Sequence, residues 1–589
     1  MIVAMKKIFL VVQGKDAEFL LKGVRKLGVL HVEHVIPPKG DKLAVLHNDL
    51  FLLNQAIALL ESEGKNSVSR PQAKRMPAWR PLAQHIIDLN KRFQQLKEYS
   101  VTLSSGIDRY VGWGDFDPQE AARLSLKGIY IRLYKLSDEQ IKSLPKDIYL
   151  KKISRQGNIY NCAIIADKNF NLPFKETEMP KISLSMMQRR LIEDKKIAGL
   201  IKEELLREFV YLYYLKDTRA QMMKEVEFYE ALSGMAQQQE GLLYIKGYIP
   251  FDSENSIKEA AKAQGWGLLI TEPLESDNVP TLVRNPKWLG IINPVFKIIE
   301  VIPGYRELDI SLWFLIFFSI FFGILIGDAG YGAVYFLLTL IIHKKWGKGI
   351  SDKSAFVLLY ILSSCAIIWG ILTASFFGQE WLPAWVKPVL PALRSDKNIQ
   401  NFCFFLGALH LSIAHIWRAL LKFPALSFLA DIGWICILWF TFFIAKLLIL
   451  GDTLPVFYPY LIIAGSTLVV FFTCPQKNIL KGFASGLGAL ALNIMNNFTD
   501  VVSYIRLFAV GLATLAVADA FNKMAMDIGF ANFTAGLLTS LILLVGHTLN
   551  IILGPLSILV HGVRLNVLEF CSHLDIKWSG FSYKPLTEK

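Results

Sequence analysis

From Ile310 to the C-terminus the chain is a succession of long apolar segments, and no other feature restricts its fold as much. They run near 310–327, 328–342, 354–377, 401–421, 425–450, 458–473, 484–520 and 535–570. About 20 apolar residues cross a hydrocarbon core as a helix, which satisfies its own backbone polar groups where no water can. The pattern therefore predicts an α-helical polytopic membrane domain of about eight spans over 306–589. The last two segments exceed the necessary length and are expected to be tilted or to extend past the bilayer. The first two are short and meet at Gly327-Asp328-Ala329-Gly330-Tyr331-Gly332, with Asp328 read as a turn former.

Residues 1–305 read differently. The chain is 53% hydrophobic yet 19% charged, a mixture that suits two unlike parts better than one globule. Lys6 to Val12, a helical stretch through Leu20-Leu21-Lys22, and Val29 to Val35 look like a β-α-β start. Gly241 to Pro250, a helix and Leu268-Leu269-Ile270 are expected to complete that α/β lobe. Leu82, Ile86, Leu89, Phe93, Leu96 and Leu103 keep 3–4 spacing. Leu184, Met187, Leu191, Ala198, Ile201, Leu205, Leu212 and Leu215 do the same, with Asp194 and Glu208 interrupting the apolar register. A strand-rich distal lobe at about 113–175 lies between these helices. The expectation is a cytoplasmic α/β two-lobed domain with a long antiparallel helical hairpin.

Charge fixes an orientation. With the N-terminal half in the cytoplasm, the inner loops are His343 to Lys348, Arg418 to Lys422 and Lys477 to Lys481. The tail carries Lys577, Lys584 and Lys589, so every inner segment is basic. The outer loop 451–459 has no Lys or Arg, whereas 378–400 carries Lys387, Arg394 and Lys397. Both termini are thus expected to be cytoplasmic, in a multi-pass protein of the cell (inner or plasma) membrane. The excess of 63 basic over 50 acidic residues is read as charge facing the lipid bilayer, with no nucleic-acid partner. Cys162, Cys365, Cys403, Cys436, Cys474 and Cys571 are scattered singly, so no disulfide framework, metal site or cofactor is suggested. No GxxxxGK[ST] loop is present, and the chain is not read as an ATP hydrolase.

Two arginines lie inside the last apolar segments. An intramembrane guanidinium costs about 2.5–3.5 kcal/mol on insertion scales, so it must face protein or water and find a partner. Asn493, Asn496, Asp500 and Ser503 form a polar stripe leading to Arg506. His547, Asn550, Gly554, Ser557, His561 and Arg564 recur at steps of three and four, one face of a regular helix. Glu569 is a candidate partner for Arg564. Such Asn, Ser and His side chains also serve simply to hydrogen-bond neighbouring helices. Two stripes, each with an arginine, suit a water-filled path.

Ser503-Tyr504-Ile505-Arg506-Leu507, Val560 to Phe570 and Phe321 to Gly332 resemble the signature segments of the V-type/A-type ATPase subunit I, the equivalent of the eukaryotic V-ATPase a subunit. Gly247-Tyr248-Ile249-Pro250, Asp277 to Leu282 and Pro303 to Asp309 resemble that family's approach to its first span. The resemblance implies a non-catalytic stator subunit of a rotary ATPase. Its partners would be a proteolipid c/K ring, peripheral stalk subunits and the other subunits of the complex. Arg506 would be the essential arginine between two ion half-channels, with Arg564 as the family's second arginine. Asn493, Asn496 and Asp500 would serve the cytoplasmic path, and His547 and Asn550 the outer one. The coupled ion, H+ or Na+, is left open. The chain departs from eukaryotic relatives at Gly554, where they carry an acid, and at Thr514, where they carry a histidine. A stand-alone secondary transporter using the same polar helices is the alternative, although no internal repeat supports it.

Overall fold

The computed structural model describes residues 1–63, 76–145, 148–168, 170, 172–239, 241–350, 352–379, 388–473 and 479–588. Of the residues singled out above, Lys387, Cys474, Lys477 and Lys589 lie outside the described residues. The chain divides into two compact units. One comprises Phe9–Gly247, Glu259–Leu269 and Pro585–Lys589; the other comprises Met1–Ile8, Tyr248–Lys258 and Ile270–Lys584.

The expected β-α-β repeats are present. Strands Met5–Gln13, His31–Glu33, Leu242–Pro250 and Gly267–Thr271 share a sheet in the order His31–Glu33, Leu242–Pro250, Met5–Gln13, Gly267–Thr271, and Ala236–Gln239 pairs with Leu242–Pro250. Helix Ala17–Leu27 buries Ala17, Leu20, Leu21 and Val24, one face at helical spacing, and ends on Gly28 at φ 65°. The distal lobe is an antiparallel sheet of Tyr149–Gln156, Ile159–Ala166, Tyr130–Ser137 and Glu176–Thr177. Ser137 and Gln140 form a reciprocal capping box there.

The helical hairpin is longer than a single pairing. Helices Leu184–Glu208 and Leu212–Ser233 run on through one tight turn at Phe209–Tyr211. The first packs against Trp79–Tyr110 and the second against Asp41–Glu63. Their shared core is Leu53, Ala56, Ile57, Leu60, Leu82, Ala83, Ile86, Ile201, Leu205, Leu212, Leu215 and Met222. The run 201, 205, 212, 215, 222 is the apolar register expected of a coiled coil.

In the other unit each apolar segment is helical: Ser311–Ile326, Ala329–Trp346, Ser354–Thr373, Asp396–Lys422, Phe428–Ala445, Tyr458–Phe472, then Ile479–Ser503 with Ile505–Ile528, and Phe533–Ser557 with its continuation. Among the described residues six helices are long and apolar enough to cross a membrane, and one of those is Asp41–Ser62 of the other unit. Ser311–Ile326 and Tyr458–Phe472 are apolar but shorter. Asp328 is a helix N-cap as well as a turn former. Its buried Oδ1 accepts from the Gly330 and Tyr331 N–H at 2.7 and 3.1 Å, and its Oδ2 accepts from the Gly378 N–H at 3.0 Å.

Candidate functional site

The two arginine-bearing helices do not run regularly. The first breaks at Tyr504, between Ile479–Ser503 and Ile505–Ile528. Tyr504 is fully buried, with its hydroxyl 2.8 Å from His410 Nδ1. His410 in turn is stacked between Phe317 and Phe570. Gly407 leaves room for the tyrosine, because a Cβ there would lie 2.6 Å from its ring. The break thus has a rigid anchor two residues before Arg506.

The last helix contains Pro555 and then widens into π-helical turns at Ile558–Gly562 and Leu565–Phe570. This corrects the expectation of one continuous face, since the added residues rotate everything after Ser557. The same widening has a chemical result. Arg564 and Glu569 are five apart, on divergent sides of an α-helix, yet Arg564 Nε lies 3.4 Å from Glu569 Oε1.

Glu569 is the centre of the site. It is 4% exposed, and its Oε1 also accepts from Arg506 Nη1 and from the Ser503 hydroxyl, both at 3.2 Å. Its Oε2 is buried with no partner among the described residues. One carboxylate therefore holds both arginines, while their side chains stay 31% and 50% exposed.

A polar cavity of about 540 Å³ opens beside this cluster. Asn493, Asn496, Asp500, Arg564, Glu569, His415 and His573 are among its lining. Asn493 and Asn496 are exposed, and the Asn493 amide bonds its own helix at the Ala489 carbonyl, 3.0 Å away. Asp500 Oδ2 lies 3.1 Å from His573 Nε2. His573 Nδ1 is 2.8 Å from His415 Nε2, and His415 Nδ1 is 3.4 Å from Asp431 Oδ1. Asp431, fully buried, also accepts from Arg418 Nε at 2.6 Å and Lys422 Nζ at 2.8 Å. Sequence reading missed this chain of groups. His415 and His573 are separated by 157 intervening residues (573 − 415 − 1), and neither lies in a distinctive motif.

His547 and Asn550 form a separate cluster. Tyr331 OH lies 2.7 Å from His547 Nδ1, and Asn550 Nδ2 donates to Tyr331 OH and to the Thr514 carbonyl at 3.1 and 2.8 Å. Position 514, where eukaryotic relatives carry a histidine, thus meets Asn550 through its backbone. Gly554 is buried close to Tyr335 OH. Ser557 is half-buried. His561, also half-buried, feels the charge of both Arg506 and Arg564. The structure therefore gathers Asn493, Asn496, Asp500, Ser503, Arg506, Arg564 and Glu569 around one site, and places His547 and Asn550 in another.

No family model matches the chain. Among curated proteins it is similar to V-type ATP synthase subunit I 1 of Treponema pallidum, 30% identical over 629 residues and 100% of both chains. It is likewise 30% identical to V-type ATP synthase subunit I of Borreliella burgdorferi over 622 residues, 99% of each. The A-type ATP synthase subunit I of Methanocaldococcus jannaschii is 29% identical over 378 residues, 56% of this chain and 53% of that one.

Proposed function

Because the chain belongs to the V-type/A-type ATP synthase subunit I family, we propose that it is the stator subunit that lets ions cross the membrane in a rotary ATPase. In this reading residues 306–589 press against a ring of proteolipid subunits and form two ion half-channels. H+ or Na+ passes through them as partner subunits hydrolyse or make ATP. Residues 1–305 are the cytoplasmic domain that binds the peripheral stalks and resists torque, and both termini are cytoplasmic.

The observation that carries this reading is the Arg506–Glu569–Arg564 cluster. A guanidinium stays charged at any working pH. Arg506 and Arg564 share one carboxylate and remain partly exposed in apolar helices, which leaves unmet demand for negative charge. A ring carboxylate arriving opposite Arg506 meets that demand. It is drawn into its ionised form and releases its ion, and the fixed positive charge keeps ions from leaking directly between the half-channels. The cavity at Asn493, Asn496 and Asp500 is the cytoplasmic access path, and the Tyr331–His547–Asn550 cluster belongs to the outer one.

The test is ATP-driven ion uptake by vesicles holding the purified complex. Arg506→Ala and Arg506→Lys are expected to abolish uptake while the complex stays assembled. Full coupled uptake in Arg506→Ala would move the role to Arg564.

A further inference from the structure

A second cavity, of about 600 Å³, lies where the polar chain gives way to the first apolar helix. Its lining includes Val283, Phe296, Val301, Ile302, Ile310 and Trp578, so it is largely apolar. The volume is in the ordinary range for a site that takes a small ligand, ~300–1,000 Å³. Asp309, Ile310 and Ser311 also line it, and Ser311 begins the helix Ser311–Ile326. In the topology proposed above, the cavity sits at the level of lipid headgroups. Two neighbouring side chains fit that level. Trp288 is 58% exposed and Ile298 is 67% exposed, beside Lys287 and Lys297.

The rim carries charge of both signs. Asn293, Phe296 and Lys297 fall on one face of the short helix Asn293–Ile299, and they line the cavity together with its cap residue Glu300. Among the described residues the side chains of Asn293 and Glu300 make no hydrogen bond or ion pair, and the Lys297 charge acts on Asp352 without a direct contact. A lysine and a glutamate three apart on a helix ordinarily meet. Here Glu300 is the cap residue at φ 52°, a left-handed conformation that takes its side chain out of helical register. The two charges are held apart at the mouth of an apolar cavity.

We propose that this cavity binds one aminophospholipid. An acyl chain enters the apolar lining, the phosphate pairs with Lys297, and the primary ammonium pairs with Glu300. Charge complementarity selects that headgroup. A glycerol headgroup carries the same phosphate but no cation to set against Glu300, and a choline headgroup has no N–H to donate to it; Asp309 already pairs with the Met1 ammonium.

The test is native mass spectrometry of the full chain, purified in detergent and titrated with dioleoyl lipids carrying ethanolamine, choline or glycerol headgroups. One ethanolamine lipid per chain is expected, retained about tenfold over the other two. Glu300→Gln should remove the preference for ethanolamine over choline, and Lys297→Gln should cut retention of both. Ile302→Trp should fill the cavity and abolish retention, with circular dichroism showing an unchanged fold. Equal or tighter retention of the glycerol headgroup would overturn the proposal, as would retention that survives Ile302→Trp. No transport is read, so the outcome does not depend on the role assigned to Arg506.

Discussion

The Glu569 carboxylate lies 3.2 Å from the Arg506 guanidinium, although the two residues belong to different helices and are 63 positions apart. Arg564 reaches the same oxygen, so one buried acid sets the resting position of both arginines. Glu569→Gln keeps the shape and removes the charge. The loss of one charge-assisted hydrogen bond is worth ~1.5 kcal/mol, about tenfold in a rate that depends on it. ATP-driven uptake by the reconstituted complex is expected to fall by that factor, and Glu569→Ala should cost more. Wild-type uptake in Glu569→Gln would show that neither arginine needs this carboxylate.

Asp431 is fully buried and holds Arg418, Lys422 and His415 together. Its removal takes this partner from Lys422 and His415, while Arg418 keeps Asp575 at 2.7 Å, at a cost of up to ~3 kcal/mol. Asp431→Ala should therefore lower the thermal unfolding midpoint of the purified chain markedly, and Asp431→Asn less. His573→Ala removes the contacts to Asp500 and His415. It is expected to be the milder change, detectable in the same melt.

The difference between these two clusters explains what was legible in the sequence. Arg506, Arg564 and Glu569 stand out because each is an ionised group in an apolar run, where charge needs a reason. The β-α-β repeats and the apolar register of the hairpin were likewise written in local periodicity. His415, Asp431 and Arg418 lie near segment ends, where polar residues are ordinary, and no spacing links them to His573 and Asp500. The π-helical turns were not legible either. Nothing in Ile558–Gly562 or Leu565–Phe570 announces an extra residue per turn, so a strict 3.6-residue reading put His561 and Arg564 on one face with His547. Pro555, inside that helix, was the available signal of irregularity.

Asp328 ties two chain segments at one point, through the backbone N–H groups of Gly330 and Tyr331 in its own helix and of Gly378. Each donor left without a partner in a buried site costs about 1 kcal/mol or more. Asp328→Ala is therefore expected to destabilise the chain by about 3 kcal/mol, read as an earlier melt. Asp328→Asn keeps one acceptor oxygen and should recover part of the loss. An unchanged melt in Asp328→Ala would show that water takes over the three donors.

Glu208 gives a pH dependence in the other unit. It interrupts the apolar register between Leu205 and Leu212, and its Oε2 is buried without a partner among the described residues. Burial raises its pKa above the ordinary 4.5, with His85 opposing and Glu204 adding to the shift. The folded hairpin therefore holds the Glu208 proton more tightly than the unfolded chain does. That contribution to stability is complete below pH 4.5 and is lost as the pH rises through the raised folded value. Amide protection near Leu205 and Leu212, corrected for intrinsic exchange, should fall as the pH is raised from 4.5 toward neutrality. Glu208→Leu restores the apolar register of the coiled coil, so it should flatten this pH profile and raise protection at neutral pH. The same slope in Glu208→Leu would show that Glu208 is not the group that carries this pH dependence.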